Sequence, residues 1–181
     1  MKTLFATATV AVAAVLSVLA ASPSWAQDRP VPGYGAFTPL PEAGEQPEVG
    51  RFYEVVFDIS AGGPEGQPSP GLDRVARFVN MLAAGGVDSE HRRLVAVVHG
   101  GATSTVLSNQ AWAARHAGAS NPNADLVAQL IAAGVDVRIC GQAMTGQGIA
   151  ATELASGVKL DLAALMTVVH FQQRGYALVG N

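Results

Sequence analysis

Residues 93–100 read "RLVAVVHG". Five apolar residues run together between an arginine and a histidine. A strand with one wet face alternates apolar and polar, whereas an unbroken apolar run marks a strand buried on both faces. Such a strand sits inside a sheet covered by helices on both sides.

The flanking sequence supplies those helices. Upstream, "RFYEVVFDIS" (51–60) is β-branched and aromatic and predicts a strand over 52–59. After a Gly/Pro-rich loop, Ser69-Pro70 suits a cap and first turn. Leu72, Val75, Ala76, Val79 and Leu82 then recur at helical spacing up to Gly85-Gly86, with Asp73 and Arg77 as a favourable exposed pair. Downstream, "ATSTVLSNQAWAARHAG" (102–118) predicts a helix after a hydroxyl-rich turn, and "NPNADLVAQLIAAG" (121–134) predicts another that stops at Gly134. "VDVRIC" (135–140) is a third strand, "GVKL" (157–160) a short one, "LDLAALMTVVHFQQRG" (160–175) an apolar helix and "YALVG" (176–180) a terminal strand. Strands alternating with helices predict a single-domain α/β fold, a three-layer sandwich with a mostly parallel sheet.

The ends of the chain read differently. Residues 1–26 have a charged Lys2, an apolar Ala-rich run and Ser24-Trp25-Ala26, the pattern of a cleavable export signal. No cysteine follows the cleavage point, which argues against a lipoprotein. Export to the periplasm follows as an expectation. Cleavage removes one lysine and no acid, taking the net charge from −3 to −4. Residues 27–50 are rich in Pro and Gly without apolar period and predict an extended arm, with Tyr34, Phe37 and Leu40 as anchoring candidates. Residues 51–181 form the domain. The few Lys and Arg residues are scattered, which argues against nucleic acid, and no further long apolar segment remains for a membrane.

Chemistry concentrates at two strand ends, where parallel sheets gather ligands. Cys140, the only cysteine, closes one strand, and His99 closes another. A lone thiol has no disulfide partner in its own chain. It is either a core filler or a nucleophile. Its place beside Gly141 favours the second, since backbone N–H groups at a helix start stabilise a thiolate. Gly141 allows close backbone approach, Gln142 offers an amide to sulfur or ligand, and Gly100 follows the histidine directly. His99 assists Cys140 if their strands are neighbours. Thr103, Ser104 and Thr105 at a helix start suit capping first and a small anion second. His91 reads as solvated, His116 as a helix-end residue and His170 as half-buried within its helix. No Gly-x-Ser-x-Gly elbow, P-loop or zinc spacing occurs, and no cofactor or resident metal is expected.

Three segments together carry a resemblance: "RLVAVVHGGAT" (93–103), "NPNADLVAQLIAAGVDVRICGQAM" (121–144) and "LMTVVHFQQRGYALV" (165–179). They resemble the DsrE/DsrF-like family from about residue 52 to the C-terminus, most specifically in Gly134-Val135 leading to Cys140-Gly141-Gln142. The resemblance implies a small α/β fold with a parallel-type sheet. It implies homo-oligomers, trimers or hexamers, with the cysteine near an intersubunit groove. In the sulfur-trafficking members the matching cysteine carries sulfur as a persulfide, a role that maps onto Cys140, with a donor or acceptor protein as partner. The signal segment and the Pro-rich arm depart from those members. Alternative readings are a non-catalytic homo-oligomeric binding module, with Cys140, His99 and Met144 as soft-metal ligands for Cu(I), and a thiol redox sensor.

Overall fold

The computed structural model describes residues 29–180, so the expected signal segment lies outside the described residues. The chain forms β1 (Tyr53–Ile59), α1 (Pro70–Ala84), β2 (Arg92–Val98), α2 (Asn109–Arg115), α3 (Ala124–Ala132), β3 (Asp136–Cys140), α4 (Gly141–Gly146), β4 (Lys159–Asp161), α5 (Ala164–Gln173) and β5 (Ala177–Val179). The strands make one sheet in the order β4-β3-β2-β1-β5, with all neighbours parallel. No helix among the described residues is long and apolar enough to cross a membrane.

Strand alternation builds two cores. Val55, Phe57, Ile59, Leu94, Ala96, Val98, Val137 and Ile139 face one side, where the apolar stripes of α1 and α3 cover them. Val56, Val95, Val97 and Cys140 face the other, under Ala164, Val168 and Phe171 of α5. The second core exists because the β4-to-β5 connection recrosses the whole sheet, from one edge to the other, and lays α5 on the opposite face. The three-layer reading therefore holds, with β2 buried on both sides as its apolar run requires.

Local chemistry sets the boundaries. Ser69 Oγ accepts the Leu72 N–H and Pro70 opens α1. The stretch 102–118 forms a hydroxyl-rich turn followed by a helix, as expected. A 3-10 segment, Gly100–Val106, comes first, a bridge from Leu107 to Leu154 interrupts it, and α2 starts afresh with Ser108 as its cap. Thr103 and Thr105 donate back to the carbonyls of Gly100 and Ala102, three residues earlier, which stabilises the tighter turn.

Residues 29–50 contain no helix or strand. Their first part is docked on α1. Val31 is fully buried, and Asn80, also fully buried, accepts the Val31 N–H and donates to the carbonyls of Val31 and Tyr34. Gly35 has φ +58 and its backbone abuts that of Arg77, where a Cβ would lie 2.2 Å from the Arg77 nitrogen. Of the anchoring candidates, Tyr34 packs on the core, Phe37 lies under Arg29, and Leu40 is exposed.

Candidate functional site

Cys140 ends β3 and caps α4, a helix of one and a half turns that begins at the next residue. Its Sγ accepts the Ala143 N–H at 3.5 Å. The turn from strand to helix is sharp because residue 141 is glycine: a Cβ there would lie 2.9 Å from the Asp161 carbonyl oxygen and 3.3 Å from that of Leu162. Gly141 thus lets the start of α4 abut the end of β4, and the Gln142 N–H donates to the Leu162 carbonyl at 3.2 Å. The Gln142 side chain is exposed and makes no hydrogen bond to the sulfur. Cys140 is 7 % exposed, packed among Val56, Val95, Val97, Ala164 and Phe171.

The strands of His99 and Cys140 are neighbours. Val98 pairs with Ile139, and the two residues follow one step beyond that pair, at the same level of β2 and β3. No hydrogen bond joins them. The His99 ring instead meets the carboxylate of Asp58 on the other neighbouring strand, with Nε2 2.8 Å from Oδ1. A carboxylate only accepts, so Nε2 carries the proton and Nδ1 is the basic nitrogen of the neutral ring. Asp58 was not singled out from the sequence. The signal is a carboxylate one residue from the end of a strand, readable only once β1 and β2 are known to be parallel neighbours.

The remaining candidates divide. Gly100 has φ +54, and its carbonyl accepts from Thr103 and from the side-chain amide of Gln147 on the loop after α4. Thr103 is buried and its hydroxyl donates to the Gly100 carbonyl. Met144 belongs to the core under α1 and α3, on the opposite side of the sheet from Cys140's cluster. Among the described residues no three His, Cys, Asp or Glu side chains gather to hold a metal. His116 stacks on Trp112 at 3.8 Å, and His91 meets Asp88 at 2.7 Å and is half-buried rather than solvated. His170 is exposed rather than half-buried.

Beside Cys140 on the same face lies a cavity of about 210 Å³, lined by Arg138, Asp161, Thr167, His170, Phe171 and Arg174. Arg138 stands between Asp136 and Asp161 and bonds both. Burial opposes its charge, and the two carboxylates outweigh burial and hold its pKa above the ordinary arginine value. Asp161 pairs in register with Cys140 and also accepts from the Thr167 hydroxyl at 2.8 Å.

The model of the DsrE/DsrF-like family matches residues 54–180. Among solved structures, the protein of unknown function MTH1491 from Methanobacterium thermoautotrophicum is 19 % identical with a TM-score of 0.55, over 71 % of this chain and 99 % of its own. The ychN protein from E. coli is 17 % identical with a TM-score of 0.52, over 71 % of this chain and 99 % of its own. At these identities the likeness is one of fold. No curated protein matches the chain with significant similarity.

Proposed function

The chain belongs to the DsrE/DsrF-like family, and on that premise we propose that it handles sulfane sulfur, carried as a persulfide on Cys140. The observation that carries this reading is the seat of the thiol. It stands at the carboxyl end of an inner parallel strand, with a backbone N–H of α4 directed at Sγ. That N–H stabilises negative charge on Sγ in the attacking thiolate.

The chemistry is substitution at sulfur. With thiosulfate as donor, the Cys140 thiolate attacks the outer sulfur. The new Sγ–S bond forms as the bond to the sulfite sulfur breaks, and sulfite leaves with that electron pair. His99 takes the thiol proton at Nδ1, directly or through one water, while Asp58 holds the ring from the far side. Gly141 lets the start of α4 abut the end of β4 beside the thiol, and Gly100 and the exposed Gln142 are the candidate ligand contacts next to His99 and Gly141. The low exposure of the thiol restricts the donor to small anions or requires a local opening of α4 and α5. The pattern of residues 1–26 supports placing this chemistry in the periplasm after cleavage.

The test is persulfide trapping. The native protein, incubated with thiosulfate and then alkylated, gains the mass of one sulfur atom at Cys140, and Cys140→Ser gains none. If the native protein gains none while the unfolded protein alkylates fully, sulfur carriage is rejected.

A second reading, the homo-oligomeric binding module, draws on a different observation. Leu162, Leu165 (76 % exposed) and Met166 lie bare on the outer side of α5 and the turn before it. Such a patch favours self-association, into trimers or hexamers by the family resemblance. Sedimentation of wild type beside Leu165→Glu tests it, and a monomeric wild type counts against it. The soft-metal version is weaker, because Met144 packs on the far side of the sheet from Cys140.

A further inference from the structure

Among the described residues, six Lys and Arg side chains are matched to acids. Arg51, Arg77, Arg93, Arg115, Arg138 and Lys159 each face a carboxylate. Among the same residues, Arg29 and Arg92 form no ion pair within hydrogen-bonding distance, although the Asp88 carboxylate lies near Arg92. Both line one cavity of about 390 Å³ together with Pro30, Ala83, Val87 and Asp88. The cavity sits at the amino-terminal end of the sheet, where β2 begins at Arg92, a sheet's length from Cys140. Arg29 Nε and Arg92 Nη1 are buried there without a hydrogen-bond partner.

The nearby acid does not supply the missing partner. Asp88 Oδ1 already accepts the N–H groups of Glu90 and His91 and meets the His91 ring. Arg92 Nε donates to the backbone carbonyl of Asp88, not to its carboxylate. The Arg29 guanidinium lies 5.4 Å over the Phe37 ring, which contributes no acceptor. Burial lowers the pKa of Arg92 from its ordinary value, and the Asp88 charge only partly offsets this.

A buried charged donor without an acceptor costs about 1–3 kcal/mol or more. Two guanidinium groups sharing one cavity fit an oxyanion, whose oxygens accept paired N–H bonds. The rest of the lining is Pro30, Ala83, Gly86 and Val87, with Asp88 as its single acid. The volume exceeds that of a bare oxyanion and admits a short hydrocarbon body. We propose that this cavity is a binding site for a small organic anion, with a carboxylate or phosphate head between Arg29 and Arg92. Because Arg29 belongs to the arm and Arg92 to β2, the bound anion fastens the arm to the domain. The site is independent of the thiol and of any sulfur chemistry.

The experiment uses the full chain. Thermal melts and titration calorimetry are run with phosphate and with butyrate, against chloride at equal ionic strength. The expected result is a saturable rise in Tm and one-to-one binding. Affinity falls roughly tenfold or more in Arg92→Gln and in Arg29→Gln, and stays at the wild-type value in Arg51→Gln, an exposed control. A response to phosphate alone assigns a phosphoryl head, and a response to butyrate alone a carboxylate. Arg29→Gln lies outside every helix and strand and keeps the test informative if Arg92→Gln fails to fold. The proposal is overturned if neither anion exceeds chloride, which leaves water as the partner of both arginines. It is also overturned if Arg29→Gln binds as wild type does.

Discussion

His99 and Asp58 are joined across β2 and β1 by a hydrogen bond of 2.8 Å, on the side of His99 away from Cys140. The carboxylate, the imidazole and the thiol therefore stand in that order at the carboxyl ends of three adjacent strands. An imidazole held from behind by a carboxylate is oriented and kept in one tautomer, the arrangement a general base requires.

If His99 is that base, His99→Ala slows sulfur loading of Cys140 by roughly a hundredfold. Asp58→Asn slows it less, roughly tenfold, because the ring remains but is no longer fixed. Both deficits shrink at alkaline pH, where a thiol ionises without help. Loading rates measured by quenched mass spectrometry across pH decide this. Equal rates in all three proteins would make the pair structural.

Gly141 and Gly146 begin and end the same short helix and predict opposite outcomes. A Cβ at 141 meets the Asp161 and Leu162 carbonyls, whereas nothing lies within 4 Å of one at 146. Gly141→Ala destabilises by about 1–3 kcal/mol in urea unfolding. Gly146→Ala changes stability by less than about 0.5 kcal/mol.

Asn80 holds the arm. Asn80→Ala removes three hydrogen bonds and leaves the amide of Val31 and two carbonyls without partners in a buried setting. The expected loss is about 2 kcal/mol or more. Limited proteolysis then cuts near residues 31–35 faster than in wild type. Unchanged cleavage would show that Val31 packing alone retains the arm.

The clamp between Arg115 and Glu153 sets an acid limit. Arg115 also donates to the Gly148 carbonyl, and Glu153 accepts the Ala150 N–H, so the pair ties α2 to the loop after α4. The Arg115 hydrogen bonds hold the Glu153 pKa below the ordinary carboxylate value. A depressed carboxylate contributes stability that is present above its unfolded pKa, about 4.3, and is lost as pH falls through the folded value. Urea midpoints of wild type exceed those of Glu153→Gln near neutrality, and the two curves converge in acid. A gap that persists undiminished below about pH 3 would contradict the assignment.

Much of the fold was legible in the chain. The run at 94–98 marked a strand covered on both faces, Ser69-Pro70 marked the start of α1, and Gly85 and Gly134 fell just beyond the ends of α1 and α3. These signals are local: periodicity, caps and stops act within a few residues, so they can be read in order. The hydroxyl-rich turn before α2 was legible too, but not its winding as a 3-10 segment, in which threonines bond back to a carbonyl three residues earlier.

The candidate site was legible only as parts. Cys140 and His99 were visible as strand-terminal residues, but what each touches depends on strand order and register. Asp58 lies 41 residues from His99, and Leu162 lies 20 or so from the turn it presses on; neither separation leaves a mark in sequence. Only the packing of five strands decides which side chains share a level and a face. By itself the sequence determined where the backbone extends and coils, because those preferences are set by each residue and its near neighbours. The tertiary structure alone decided that the histidine leans toward a carboxylate, that the thiol lies under α5, and that two distant arginines open into one cavity, because those outcomes depend on long-range packing.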